Sequence, residues 1–182
     1  MTELLAITTA TLARAVTIGC GLIFLTAASQ KLRHRRLLPG VIANYRILPQ
    51  FMVSPASAGL PIVEIVLGLA LLAGLGSAAP VAAAILMTVF AAAMAINLKR
   101  GRRHISCGCG RPDLSQELRW SMVVRNLMLA AALLVAAASF TPLGVIEHAS
   151  AAFAAAALWI GWYLFEAIAA LNANLVALRW RS

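Results

Sequence analysis

Charge is scarce in this 182-residue chain. Only 12% of residues are Asp, Glu, Lys or Arg, against 62% hydrophobic, and just 6 of them are acidic. Soluble domains run nearer a quarter charged, so an ordinary water-soluble globule is excluded, as is a disordered chain. Cysteine is also sparse, at three residues, which excludes a disulfide-stapled secreted mini-protein. What the chain has in excess is long apolar runs and basic residues, with a formal net charge of +9. The cations lie between the apolar runs, so the surface of a membrane explains them more simply than nucleic acid does.

A spanning helix needs about 20 mostly apolar residues. The sequence predicts an all-α polytopic membrane bundle, one domain over 1–182, with five apolar spans near 12–29, 58–76, 80–98, 120–140 and 149–171. The run from Ala58 to Leu98 holds a single charge, Glu64, and is too long for one helix. Gly74, Gly76, Ser77 and Pro80 supply a turn inside it. Thr141, Pro142 and Gly144 break the chain between the last two spans. Apolar residues Leu38, Val41, Ile42, Tyr45 and Leu48 follow helical spacing up to Pro49, so a short interfacial helix is expected near 38–48. The first span carries Glu3 before it and a basic cluster after it, which predicts a retained span rather than a cleaved signal. Ala- and Gly-rich spans point to close helix packing.

Charge asymmetry orients the bundle. Lys31, Arg33, Arg35, Arg36 and Arg46 follow span one; Lys99, Arg100, Arg102, Arg103, Arg111 and Arg119 follow span three; Arg179 and Arg181 close the chain. With five spans all three stretches fall on one side, which the positive-inside rule makes the cytoplasm of a bacterial inner membrane, with the N-terminus outside and the C-terminus inside.

Chemistry concentrates in Cys107-Gly108-Cys109, flanked by Arg102, Arg103 and His104. Neighbouring cations favour thiolate, and a tight, accessible thiol couple suits exchange better than structure. Metal binding is the weaker reading, since zinc asks for four ligands and Cys107, Cys109 and His104 supply three; neither metal nor cofactor is expected. Two small residues at a turn is the bland alternative. Cys20 sits within span one, about 16 Å from Lys31 at 1.5 Å per residue, as either a packing residue or a resolving thiol.

Charged and amide groups inside spans are costly and usually paired. Glu64 and Arg125 enter spans two and four at matching depth, and the sequence predicts an ion pair between them. Asn97 and Asn126 lie at similar levels, and Glu166 joins the layer from span five. Arg14, near the outer end, is expected to snorkel.

In order along the chain stand Tyr45-Arg46-Ile47-Leu48-Pro49, Leu60-Pro61-Ile62-Val63-Glu64, Asn97-Leu98-Lys99-Arg100-Gly101, Cys107-Gly108-Cys109-Gly110 and Arg125-Asn126. This arrangement resembles the MauE family, within the wider DoxX-like set of small redox-associated membrane proteins, over about Leu12 to Leu171. The resemblance implies a role in maturing the disulfide-rich small subunit of periplasmic methylamine dehydrogenase, beside a thioredoxin-like partner, MauD. It implies that Cys107 and Cys109, with Cys20 assisting, exchange disulfides, and that Glu64, Asn97, Arg100, Arg125 and Asn126 form the intramembrane polar set around them.

A periplasmic client conflicts with the charge bias, which puts the cysteine connection in the cytoplasm. Either reducing equivalents cross the bilayer, or the topology is inverted and the cations dock a partner. A non-catalytic assembly subunit of a membrane complex is the alternative from another class. A small-solute transporter would want a broken-helix pair, and a quinone-linked thiol oxidase a second outer cysteine pair; the sequence shows neither.

Overall fold

A computed structural model describes residues 2–103, 105, 118–139, 149–157 and 159–161, with side chains from residue 8 onward. Five helices run α1 (Thr2–Arg33), α2 (Leu38–Tyr45), α3 (Gln50–Ala73), α4 (Ala78–Lys99) and α5 (Trp120–Ala138). A shorter apolar helix, Ala149–Gly161, follows. Among the described residues there is no strand. Four helices are long and apolar enough to cross a membrane: α1 from Thr8, α3, α4 and α5. The expected fifth span, 149–171, is described only as far as residue 161, and Glu166 lies outside the described residues.

Helix ends follow local chemistry. α3 starts at Gln50, eight residues before the expected position, and carries Pro55 and Pro61 inside it. Pro49 is its N-cap in extended conformation. Each of these prolines lacks the N–H that would bond a carbonyl one turn earlier, and the helix runs through both positions. α3 ends at Gly74 in left-handed conformation, φ 71°, whose N–H donates to Ala70 O at 3.0 Å. This turn, completed by Gly76 at φ 70°, falls where the glycines predicted it. α2 stops at Tyr45 rather than near Leu48, because Arg46 takes up the left-handed cap.

α1 packs along α3 and α4 along α5, with α1 also touching α5. The α1–α3 crossing is backbone-close. A Cβ placed on Gly68 would lie 3.0 Å from Gly21 O and 2.8 Å from Leu25 Cγ. In lipid, where apolar burial adds little, such small-residue contact supplies dispersion that longer side chains would block. At mid-bundle Cys20 and Phe24 (α1), Leu71 (α3), Ala79, Ala83, Ala84 and Met87 (α4), and Ala130 and Leu133 (α5) form one apolar cluster. Ala151 and Ala155 of the shorter helix pack on Ala15 and Ile18.

Candidate functional site

The buried face of α1 repeats at Thr17, Cys20, Phe24, Ala28 and Lys31, the spacing of one helical stripe. Lys31 therefore continues the core face rather than leaving it for solvent. Its Nζ donates to both carboxylate oxygens of Glu64, at 2.7 and 2.9 Å. Glu64 is 1% exposed. The ammonium also stands 5.7 Å from the centre of the Phe90 ring on α4, within reach of the ring quadrupole. Three helices thus meet on one desolvated cation.

Lys31 is a partner of Glu64 that apolar run length alone did not reveal. The physical reason is helix length: α1 runs to Arg33, one turn past the predicted end at Ser29, and that turn carries Lys31 under the bundle roof. The stripe at 17, 20, 24, 28 and 31 was the signal that identifies it. Arg125, on α5, is half-buried.

The rest of the polar set lies nearby in the fold. Asn97 is fully buried; its Nδ2 donates to Ala93 O at 3.1 Å, and its Oδ1 accepts from Arg102 Nη1 at 3.2 Å. Asn126 is buried and its Nδ2 donates to Met122 O at 3.0 Å. Arg100 is exposed at the end of α4, and its Nη1 donates to Arg46 O at 3.3 Å, tying the α2–α3 connection to α4. Glu64 locks α1 to α3, Asn97 anchors the chain leaving α4, and Arg100 clamps a neighbouring turn.

The cysteine connection is described at its base only; Cys107 and Cys109 lie outside the described residues. Leu118 N–H donates to Arg103 O at 2.8 Å, so the two strands of the connection meet where they leave the bundle. Leu118 and Ile105 then pack with Leu98, Met94 and Val123, a cluster that also takes in Phe90, the ring beside Lys31. Cys20 is far from this end. It is 2% exposed, walled by the apolar residues of the central cluster, an environment that makes a thiol unreactive. Among the described residues no three His, Cys, Asp or Glu side chains gather to hold a metal ion.

Arg14 does not snorkel. It is buried, and its guanidinium donates to Leu71 O at 3.3 Å and Leu72 O at 3.0 Å. These are carbonyls of the last turn of α3, which have no partner within the helix.

Membrane-length helices closed by small-residue crossings and a desolvated ion pair define a multi-pass helical membrane protein with a polar layer at one end. Comparison with known proteins narrows this. The family described as "Methylamine utilisation protein MauE" matches residues 9–139. The chain is 38% identical over 167 residues to the methylamine utilization protein MauE of Paracoccus denitrificans, covering 90% of both chains. It is 39% identical over 152 residues to that of Methylophilus methylotrophus, covering 81% of this chain and 80% of the relative. The chain belongs to the MauE family. No solved structure matches it.

Proposed function

We propose that the chain is a methylamine-utilisation accessory protein that exchanges thiols and disulfides through Cys107 and Cys109, supporting maturation of the small subunit of methylamine dehydrogenase beside a thioredoxin-like partner. The observation that carries this reading is the pinned base of the cysteine connection. The Leu118–Arg103 hydrogen bond and the packing of Leu118 and Ile105 tie the connection bearing the chain's only Cys-Gly-Cys to the layer that contains Phe90 and Lys31. In the reaction one thiolate attacks a partner disulfide, forming a mixed disulfide and releasing one partner thiolate. The second thiol then displaces the other partner sulfur. The partner leaves as a dithiol, and the two electrons it gains are those lost as Cys107 and Cys109 become a disulfide. A dithiol donor reloads the pair.

Glu64, Asn97, Arg100, Arg125 and Asn126 hold helices and turns around the connection in this reading. The burial of Cys20 supports exchange by Cys107 and Cys109 without it. Exposed arginines gathered at the α1, α2 and α4 ends support placing that end on the cytoplasmic side of an inner membrane.

The test is Cys109→Ser in a methylamine-grown host, reading free thiols in the dehydrogenase small subunit and protein level in the membrane. The expected result is normal level with an immature subunit. Full maturation in that variant would support a non-catalytic assembly role. Labelling of Cys107 and Cys109 in sealed cells with a membrane-impermeant reagent gives sidedness: protection until lysis is expected.

A further inference from the structure

Arg46 is the only non-glycine residue with positive φ among those described, at φ 48° and ψ 41°. It caps the C-terminus of α2, a position where glycine escapes the steric conflict an L side chain incurs. An arginine in this place carries a steric cost that glycine would not. Its surroundings hold the conformation. Its N–H donates to Ala43 O, and its carbonyl accepts from Arg100.

Arg33, Arg35 and Arg36 are exposed along the α1 end and the turn into α2, and Arg100 is exposed at the end of α4. No described residue at this end presents an exposed carboxylate; Glu64 is buried and bound by Lys31. The exposed cations of the corner are arginines, whose planar fork binds phosphate in two-pronged fashion, with one exposed lysine, Lys99, beside Arg100. Exposed apolar side chains interleave with them: Leu37, Ile47, Leu48 and Phe51, the last 79% exposed. A surface that alternates guanidinium with bare hydrocarbon fits the boundary between headgroup phosphates and acyl chains. An acidic protein or a nucleic acid would leave the hydrocarbon in water.

We infer that Arg33, Arg35, Arg36, Arg46 and Arg100 form a docking corner for the phosphate headgroups of anionic phospholipid. The α2 helix lies between them, and Arg46 spends backbone conformational energy to bring a fifth guanidinium to the headgroup plane. This inference does not depend on the thiol chemistry.

Purified full-length protein in bilayer discs tests it, with phosphatidylcholine alone or with phosphatidylglycerol added. Thermal unfolding and the lipids retained after delipidation are the readouts. The parent should unfold several degrees higher with phosphatidylglycerol and retain that lipid selectively, and about 0.5 M salt should erase most of the gain. R46G should unfold no lower than the parent in phosphatidylcholine, because its backbone strain is relieved, yet lose a large part of the phosphatidylglycerol gain. The triple variant R33Q/R35Q/R36Q changes only exposed side chains and should lose most of it. Equal gains in parent and variants, or no gain in the parent, would overturn the inference. So would a full gain from inorganic phosphate in phosphatidylcholine discs, which would assign the corner to a free anion.

Discussion

Helix α1 carries one buried cation near each end of its membrane-spanning part, and the two are neutralised by opposite means. At Arg14 the guanidinium meets backbone carbonyls at the end of α3. At Lys31 the ammonium meets a side-chain carboxylate in the body of α3. The first contact is between a charge and a helix dipole, whose negative end lies at the C-terminal carbonyls. The second is between two full charges that have both left water. The lesson is one of asymmetry. Carbonyls at a helix end can turn to water if Arg14 is lost, whereas Glu64 has no such escape.

That difference sets the largest effect. Lys31→Met takes the bound ammonium away from a carboxylate at 1% exposure, and breaking a buried pair from one side costs ~3–5 kcal/mol. Replacing both partners, as Lys31→Met with Glu64→Leu, should recover most of that loss, because apolar substitutes of like volume are often neutral. Equilibrium unfolding in mixed micelles measures both. A double variant no more stable than the single would erase the distinction between the two ends of α1.

Next comes the crossing that holds α1 and α3 in register between those ends. Gly68→Ala puts a methyl group 2.8 Å from Leu25 Cγ and 3.0 Å from Gly21 O, and the second of these is backbone that cannot swing aside. Overpacking of this kind costs ~1–3 kcal/mol. The same unfolding assay reads it, and it should weaken both cation contacts together, since both depend on how α1 lies on α3. A Gly68→Ala protein as stable as the parent would mean that the two charges, and not the glycines, set the helix pair.

The Arg14 end should respond less. Arg14→Met removes charge-assisted hydrogen bonds to Leu71 and Leu72, an effect of ~1–2 kcal/mol. Gly74→Ala should cost at least as much, for it demands φ 71° of an alanine and drives its Cβ into the Arg14 guanidinium. Once Arg14 is methionine the collision is gone and only the backbone strain remains, so the two losses should sum to more than the double variant shows. Strict additivity would separate Gly74 from the cap.

Much of this architecture is legible in sequence, for reasons particular to its residues. The α3–α4 turn announces itself through Gly74 and Gly76, because only a glycine pair sits easily at two positive φ angles so close together. The Leu38–Tyr45 helix is legible from its apolar period, though its end is not: Arg46 in a left-handed cap breaks the rule that glycine or asparagine goes there. The all-α membrane class and MauE membership follow from apolar run length and ordered motifs. The Lys31–Glu64 contact is hidden for a different reason. Charged residues just past an apolar run look like a solvated flank, and only a helix drawn through Arg33 puts Lys31 on the stripe with Phe24 and Ala28. Arg14 misleads in the same way, since which carbonyls lie within reach depends on where α3 stops. Ion pairs between helices are tertiary facts, and depth alone cannot choose among cations on different spans.

Between the two cations lies Cys20, and the smallest predicted effect belongs to it. It is buried in the apolar cluster that also holds Phe24, Leu71, Met87 and Leu133, so Cys20→Ala removes one atom from a packed centre and should cost about 1 kcal/mol or less. The more telling readout is functional. If exchange runs through Cys107 and Cys109 alone, the alanine variant matures the dehydrogenase small subunit as the parent does. If electrons pass the middle of the bilayer by way of this thiol, maturation stops while stability barely moves. A mixed disulfide trapped between Cys20 and Cys109 in Cys107→Ser protein would show the second case directly, and would require the central cluster to open far enough to admit a sulfur from the connection after α4.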